Sequence, residues 1–422
     1  MDFIKCNVAV VGGGASGLMA AVELARSGKG LKVAVLEHHA KVGRKLMATG
    51  NGRCNLTNKS LTANSYRGGA EYLESVLQRY NSSCITNYFS EIGLVTYADE
   101  QGRVYPLSNN VSSVYDCITD YAFSKGVDCY CNVTVKKIIP EKKGYTLLSD
   151  DYRVFAENVI LACGGKASAK LSTDGLGYSL LKGLGISVTN IMPSLVQVPC
   201  SNKCLANLKG LRAKGEISLV IGDKIIGKEA GEIQFAKGAL SGICVFQLSW
   251  YVSKYFSNRK NKDNIAFYLD LMPNFTIQEC FALLKSRANS LHWYKLSNFF
   301  DGFLHKRVAS ALYSECGIKD TQRTVSTLTK NEITKLAHCI KGWRFNPVAA
   351  GEFENAQVTS GGASCKEIDF NSCQSKKYPH LYIVGELVDV DGICGGYNLH
   401  WAWSSGIMAA RNILKGYGKT ND

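Results

Sequence analysis

Gly12, Gly14 and Gly17 stand in G-x-G-x-x-G spacing, and Glu37 follows Gly17 by 20 residues. This spacing suits phosphate chemistry. Gly12 permits a tight turn, Gly14 lets the backbone approach a pyrophosphate, and Gly17 lets a helix lie against a sheet. The helix start offers free N–H groups and a positive dipole to the phosphates. Glu37 is set to accept hydrogen bonds from ribose hydroxyls and to repel a 2′-phosphate. The flanking residues supply the elements this needs: an apolar strand at Asn7 to Val11, an Ala-rich helix to about Ser27, and a second apolar strand at Lys32 to Leu36.

A second set of polar groups lies in residues 41–58, KVGRKLMATGNGRCNLTN, which have no helical or strand period and read as a loop. Arg44 and Lys45 can neutralise a pyrophosphate. Asn51, Arg53 and Asn55 can hydrogen-bond a polar ring edge. Near the other end of the chain, an apolar strand (Leu381 to Val384) meets Gly385-Glu386, and a Gly-Gly-Tyr-Asn turn opens a final helix. A helix start there can point its N–H groups at a flavin, whose reduced N1–C2=O edge is anionic. Two separated glycine-rich helix starts fit FAD better than NAD. A further strand runs into Cys163-Gly164-Gly165, with Asp174-Gly175-Leu176-Gly177-Tyr178 beyond it, but this is not a second G-x-G-x-x-G. A separate nicotinamide domain would normally carry one.

The composition supports a globular protein. The 422 residues are 46% hydrophobic and 20% charged, which excludes a disordered chain. No apolar run is long enough to cross a membrane. The N-terminus does not read as a secretory signal, since Gly12-Gly13-Gly14 interrupts the first apolar run. The expectation is a cytoplasmic protein whose 16 cysteines are reduced and mostly packed as small apolar residues. Cys129-x-Cys131 and Cys200-x-x-x-Cys204 do not make a metal-ligand pattern, so no metal is expected. The formal net charge of +14 allows a solvated surface, an anionic small molecule or a nucleic acid as its reason. The clusters, such as Lys254 to Lys262, are short.

Residues 195–250 alternate apolar and polar in short stretches, and residues 275–318 have a helical period with Thr276 as a cap. The chain is expected to return to its first domain near Arg344 to Val348. The reading divides it into a first FAD-binding part at 1–192, a β-rich insert at 193–250 and 319–345, a helical subdomain at 251–318, and a second FAD-binding part at 346–422.

Together, VGGGASGLMAA, GRKLMATGNGRCNLTN, ILACGGKA with DGLGY, VTSGGA and GELVDVDGICGGYNLHWAWSSG resemble the BaiN/RdsA family of FAD-binding flavoproteins, also called aminoacetone-oxidase-like, over the whole chain. The resemblance implies an α/β fold: a discontinuous Rossmann-like FAD-binding domain with an inserted β-barrel-like domain and a helical subdomain. It implies FAD contacts from Ala15, Ser16, Glu37, Arg44, Lys45, Asn51, Arg53, Cys54 and Asn55. Val135 would meet adenine through its backbone, and Gly385, Glu386, Gly396, Asn398 and Leu399 would lie near the flavin. One stretch departs from the family pattern: in GEIQFAKGALSGI, residues 231–243, Ala236 replaces a threonine and Ile243 a proline.

The resemblance further implies reduction of a C=C bond conjugated to a carbonyl, with hydride from flavin N5 and a proton added at the α-carbon. Three readings stay open: an NAD(P)H-driven reductase of a steroid or bile-acid-type enone, a ribosomal RNA uridine reductase, and an O2-dependent amine oxidase. Tyr397 and His400 flank the flavin-facing turn as candidate proton donors, against a plainer role in packing the last helix. Cys394, Trp401 and Trp403 also read mainly as packing, Asp389 and Asp391 as loop-shaping, and Lys237 as solvated.

Overall fold

The computed structural model describes residues 2–171, 175–258, 260–261 and 263–418. Asp174 and Lys262 lie outside them. The chain forms two compact units, Met1–Pro193 with Ala356–Asp422, and Ser194–Asn355. The first unit is thus discontinuous in sequence.

The first unit is built on a nine-stranded sheet. Its parallel centre runs, in spatial order, Leu381–Ile383, Tyr152–Leu161, Asp2–Val11, Val33–Leu36 and Asp128–Tyr130. Val8 to Val11 and Val33 to Leu36 are buried without alternation, as strands covered on both faces must be. The hairpin Lys137–Glu141 and Gly144–Leu148 adds antiparallel to Tyr152–Leu161. The first strand of this hairpin begins at Lys137, although the apolar residues Val133 and Val135 precede it. Asn132 turns the chain with a left-handed φ of 59°, and the Val133 N–H goes to the Glu37 carbonyl rather than into the hairpin ladder.

Two helices cover the site end of this sheet, Ala15–Arg26 and Tyr397–Gly416. They meet backbone to backbone: a Cβ on Gly406 would sit 2.3 Å from the Ser16 carbonyl oxygen. Gly17 has the role its spacing predicts, since a Cβ there would sit 2.0 Å from the Gly12 carbonyl oxygen.

The second unit has its own core, including Phe235, Phe267, Trp343 and Phe345. Its six-stranded sheet is antiparallel throughout, in the order 198–199, 239–241, 224–236, 212–221, 265–270 and 343–345. The sheet curls until its two edges meet. Ser201 donates its N–H to the Asn346 carbonyl at 3.0 Å, and Val348 donates to the Pro199 carbonyl at 3.0 Å. This is the barrel-like insert that the resemblance implied.

Its boundaries differ from the sequence reading. The helix Ile243–Ser257 crosses residue 250. The stretch 251–318 includes the strand Ile265–Asp270, whose run IAFYLD buries Ala266, Phe267 and Leu269. The stretch 319–345 includes the helix Lys330–Lys341, started by a capping box of Thr329 and Glu332. Thr276 caps the helix Ile277–Ser290 in the same way.

Gly406→Ala should push the two site helices apart and destabilise the protein by about 1–3 kcal/mol. Urea denaturation followed by tryptophan fluorescence reads the loss, and an unchanged midpoint would mean the helices do not depend on this contact.

Candidate functional site

The helix starts and the carboxyl ends of the parallel strands surround one cleft in the first unit, with about 1230 Å³ of free space, part of it open to solvent. Ligands of open α/β sheets bind in this position. Gly12, Gly14, Ala15 and Ser16 line it from the first helix start, Glu37, Arg44 and Lys45 from the loops after the second strand, and Val135 from the segment after Cys131. Glu386, Asn398 and Leu399 line it from the C-terminal segment. A Cβ on Gly14 would meet nothing within 4 Å, so the backbone there faces open space, as a pyrophosphate site requires.

Glu37 is fixed for its role. Its Oε2 accepts the Gly13 N–H at 2.8 Å and its Oε1 accepts the His39 N–H at 2.8 Å, with His38 Nδ1 at 3.0 Å. Burial acts to raise its pKa, but the hydrogen bonds from His38, His39 and Gly13 outweigh it and hold the carboxyl below its usual value. Glu37 is therefore an ionised acceptor beside the first helix start. Arg44 donates to His39 Nδ1 at 2.6 Å and to the Lys170 carbonyl at 2.8 Å.

Lys45 Nζ donates to Glu386 Oε2 at 2.7 Å, and Glu386 Oε1 accepts the Thr359 N–H at 2.7 Å. The Thr359 hydroxyl oxygen in turn accepts the N–H groups of Lys166 and Ala167, at 2.7 and 2.9 Å. Thr359 therefore ties three segments of the cleft wall together. It lies in VTSGGA, but no local pattern showed that its partners come from nearly 200 residues away. Gly385 has φ +66°, and its Cβ would lie 2.5 Å from Ser16 Oγ. Its N–H goes to Ser405 Oγ and its carbonyl accepts Trp401 Nε1–H.

The last helix opens at Gly396, which has φ +97°. Its first N–H groups have no partner within the helix. The Asn398 side chain binds the Gly392 N–H and carbonyl, both at 2.8 Å, and so fixes the preceding strand Val390–Gly392 to the helix start. Asn55 reaches the same place: a Cβ on Gly396 would lie 2.7 Å from Asn55 Oδ1. That oxygen is buried and has no hydrogen-bond partner among the described residues. An orphaned acceptor, two open helix starts, an ionised acid and flanking cations together fit a dinucleotide with a polar ring edge.

Asn51, Arg53, Cys54 and Asn55 are not among the residues that line the cleft, although Asn55 lies beside the start of the last helix. Asn51 and Arg53 are exposed, and the Arg53 guanidinium lies 4.7 Å over the Tyr105 ring. Cys54 is fully buried at a left-handed φ of 60°, and burial pushes its thiol up to about 12. Lys237 is exposed in the second unit.

Tyr397 and His400 point away from the cleft, on the opposite side of the last helix from Asn398, Leu399 and Ala402. The Tyr397 ring packs edge-on against Tyr66. His400 is fully buried, with Nδ1 2.8 Å from Thr57 Oγ1 and Nε2 3.4 Å from Ser404 Oγ. Both take the packing role, because helical spacing turns these two positions toward the core. Trp403 is likewise core, donating to the Leu56 carbonyl. Trp401 is buried and also lines the cleft. Asp391 accepts from the Ser360 hydroxyl at 2.8 Å, and burial raises the Asp389 carboxyl above its usual value.

Burial lowers the His400 pKa to about 4, against a hydrogen bond to the Tyr80 backbone that acts to raise it. The folded state therefore refuses a proton that the unfolded chain takes up below about pH 6.5. Stability from this source is complete above that pH and is lost as pH falls toward 4, by on the order of 3 kcal/mol. His400→Gln should flatten this limb, which urea denaturation at pH 7 and pH 5 will show.

The family described as HI0933-like protein Rossmann domain matches residues 6–412. The chain is 32% identical over 406 residues to the 3-dehydro-bile acid delta(4,6)-reductase of Clostridium scindens, covering 96% of this chain and 98% of that protein. It is 26% identical over 413 residues to the ribosomal RNA dihydrouridine synthase of Haemophilus influenzae, with 96% and 98% covered. Among solved structures, FrdA of the E. coli quinol fumarate reductase aligns with a TM-score of 0.50 at 14% identity, over 100% of this chain and 72% of that one, a likeness of fold alone. On the match that spans nearly its whole length, the chain belongs to the HI0933-like family of FAD-binding Rossmann proteins.

Proposed function

We propose that this FAD-dependent oxidoreductase reduces a C=C bond conjugated to a carbonyl, with a steroid or bile-acid-type enone as substrate and NAD(P)H as electron donor, in the cytoplasm. The observation that carries the reading is the 32% identity to a bile acid reductase along nearly the full length of both chains. When bound, FAD supplies hydride chemistry at the β-carbon of such an enone. The residues of this chain bind and orient it. Glu37 takes the ribose hydroxyls, and Gly14 and Arg44 take the pyrophosphate. The N–H groups at the start of Tyr397–Gly416 and the free acceptor of Asn55 take the polar edge of the ring. Apolar side chains of Val358, Val390, Leu399 and Trp401 line the same cleft and limit water in it.

A ribosomal RNA uridine reductase is the second reading, because of the charge. Residues 194–355 hold 22 Lys+Arg against 13 Asp+Glu, and so carry +9 of the net +14. A basic insert suits a polyanion. The relative from Haemophilus influenzae supports the same reading.

The purified protein should be yellow and should bleach with NADH or NADPH under argon. Reoxidation by a 4-en-3-one steroid should then exceed reoxidation by a uridine-containing ribosomal RNA fragment or by O2 at least about tenfold. Faster reoxidation by the RNA would favour the second reading, and fast reoxidation by O2 alone would remove both.

A further inference from the structure

Two adjacent histidines, His38 and His39, line the cofactor cleft beside the charged groups they contact. They follow Glu37 directly, and their ring centroids are 3.6 Å apart. Each touches a different charged group of the cleft. Arg44 donates to His39 Nδ1 at 2.6 Å. Arginine has no acceptor atom and stays protonated, so His39 Nδ1 must accept, and the His39 proton must sit on Nε2. The other arm of the same guanidinium donates to the Lys170 carbonyl at 2.8 Å. Both terminal nitrogens of the Arg44 guanidinium are thus held. His38 has the reverse arrangement. Its Nδ1 lies 3.0 Å from Glu37 Oε1, and an ionised carboxylate has no proton to give, so His38 Nδ1 must donate.

We propose that these histidines are positioning residues for the cofactor: His39 aims Arg44 at the pyrophosphate, and His38 aims Glu37 at the adjoining ribose. The proposal rests on Arg44 and Glu37 holding those groups. A long arginine side chain that must be ordered on binding costs conformational entropy, and His39 meets that cost before the cofactor arrives. The carboxylate of Glu37 already has two backbone donors. His38 adds a third from the side and fixes the plane in which the remaining acceptor site, on Oε2, is presented. The two rings touch at a tilt of 45° and brace one another, so the acid and the base keep a set separation.

The test uses the apoprotein of the full chain, titrated calorimetrically with adenosine, ADP and FAD. His39→Ala should raise the Kd for ADP and for FAD about tenfold and leave adenosine within twofold, because only the first two carry the pyrophosphate. His39→Asn, whose Oδ1 takes the place of Nδ1 as acceptor, should restore most of the loss. His39→Leu keeps volume without an acceptor and gives the same reading if the alanine variant fails to fold. His38→Ala should raise the Kd for all three ligands by a similar factor. Weakening of adenosine and ADP alike by His39→Ala, or no effect on ADP where Arg44→Ala has one, would overturn the role of His39. Unchanged adenosine binding in His38→Ala would overturn that of His38. Unchanged ADP binding in Arg44→Ala would instead remove the reading of Arg44 on which the proposal stands.

Discussion

The contact around Ser16 sets the geometry of the cleft. Three segments meet there: Gly406 of the last helix lies against the Ser16 backbone and the turn at Gly385 against the Ser16 side chain, and neither glycine has room for a side chain of its own. The Ser405 hydroxyl and the Trp401 indole hold the Gly385 peptide from both sides. A glycine is needed at Gly385 for its positive φ and at Gly406 for the approach itself. The result is that two helix starts nearly 400 residues apart open on one cavity. Each brings unpaired N–H groups and the positive end of its dipole. A cofactor with a pyrophosphate at one end and an anionic ring edge at the other matches that pair of fields.

The charged side chains refine this arrangement rather than create it. Glu37 is held ionised by donors from three neighbouring residues. Arg44 and Lys45 are each already engaged, one by a histidine and a carbonyl, the other by Glu386. Partly exposed pairs of this kind add little to stability. Their value lies in orientation, because a group that is already fixed loses little freedom when a ligand arrives. Asn55 is the exception, an acceptor left without a partner at the start of the last helix.

Much of this was legible in the sequence, because glycine patterns report backbone constraints directly. The G-x-G-x-x-G turn, the acid after the second strand and the Gly-Gly-Tyr-Asn helix start all lie on the cleft or support it. Side-chain direction was less legible. Tyr397 and His400 stand at the right turn, but helical spacing sends them to the core, where Thr57 and Tyr66 receive them. Residues whose partners are remote left no local signal, as with Thr359 and the Lys166 and Ala167 amides. The insert misled for a related reason. Its strand at Ile265–Asp270 is a short apolar run among helices, and only its pairing with Glu216 to Ile221 makes it a strand.

If the start of Tyr397–Gly416 faces the anionic edge of a bound flavin, it makes that flavin easier to reduce. The most direct test is the midpoint potential of protein-bound FAD, measured by anaerobic dye-coupled titration against free FAD. The bound cofactor should have the higher potential, since positive partial charge at the ring edge favours the reduced form. A bound potential at or below that of free FAD would contradict it.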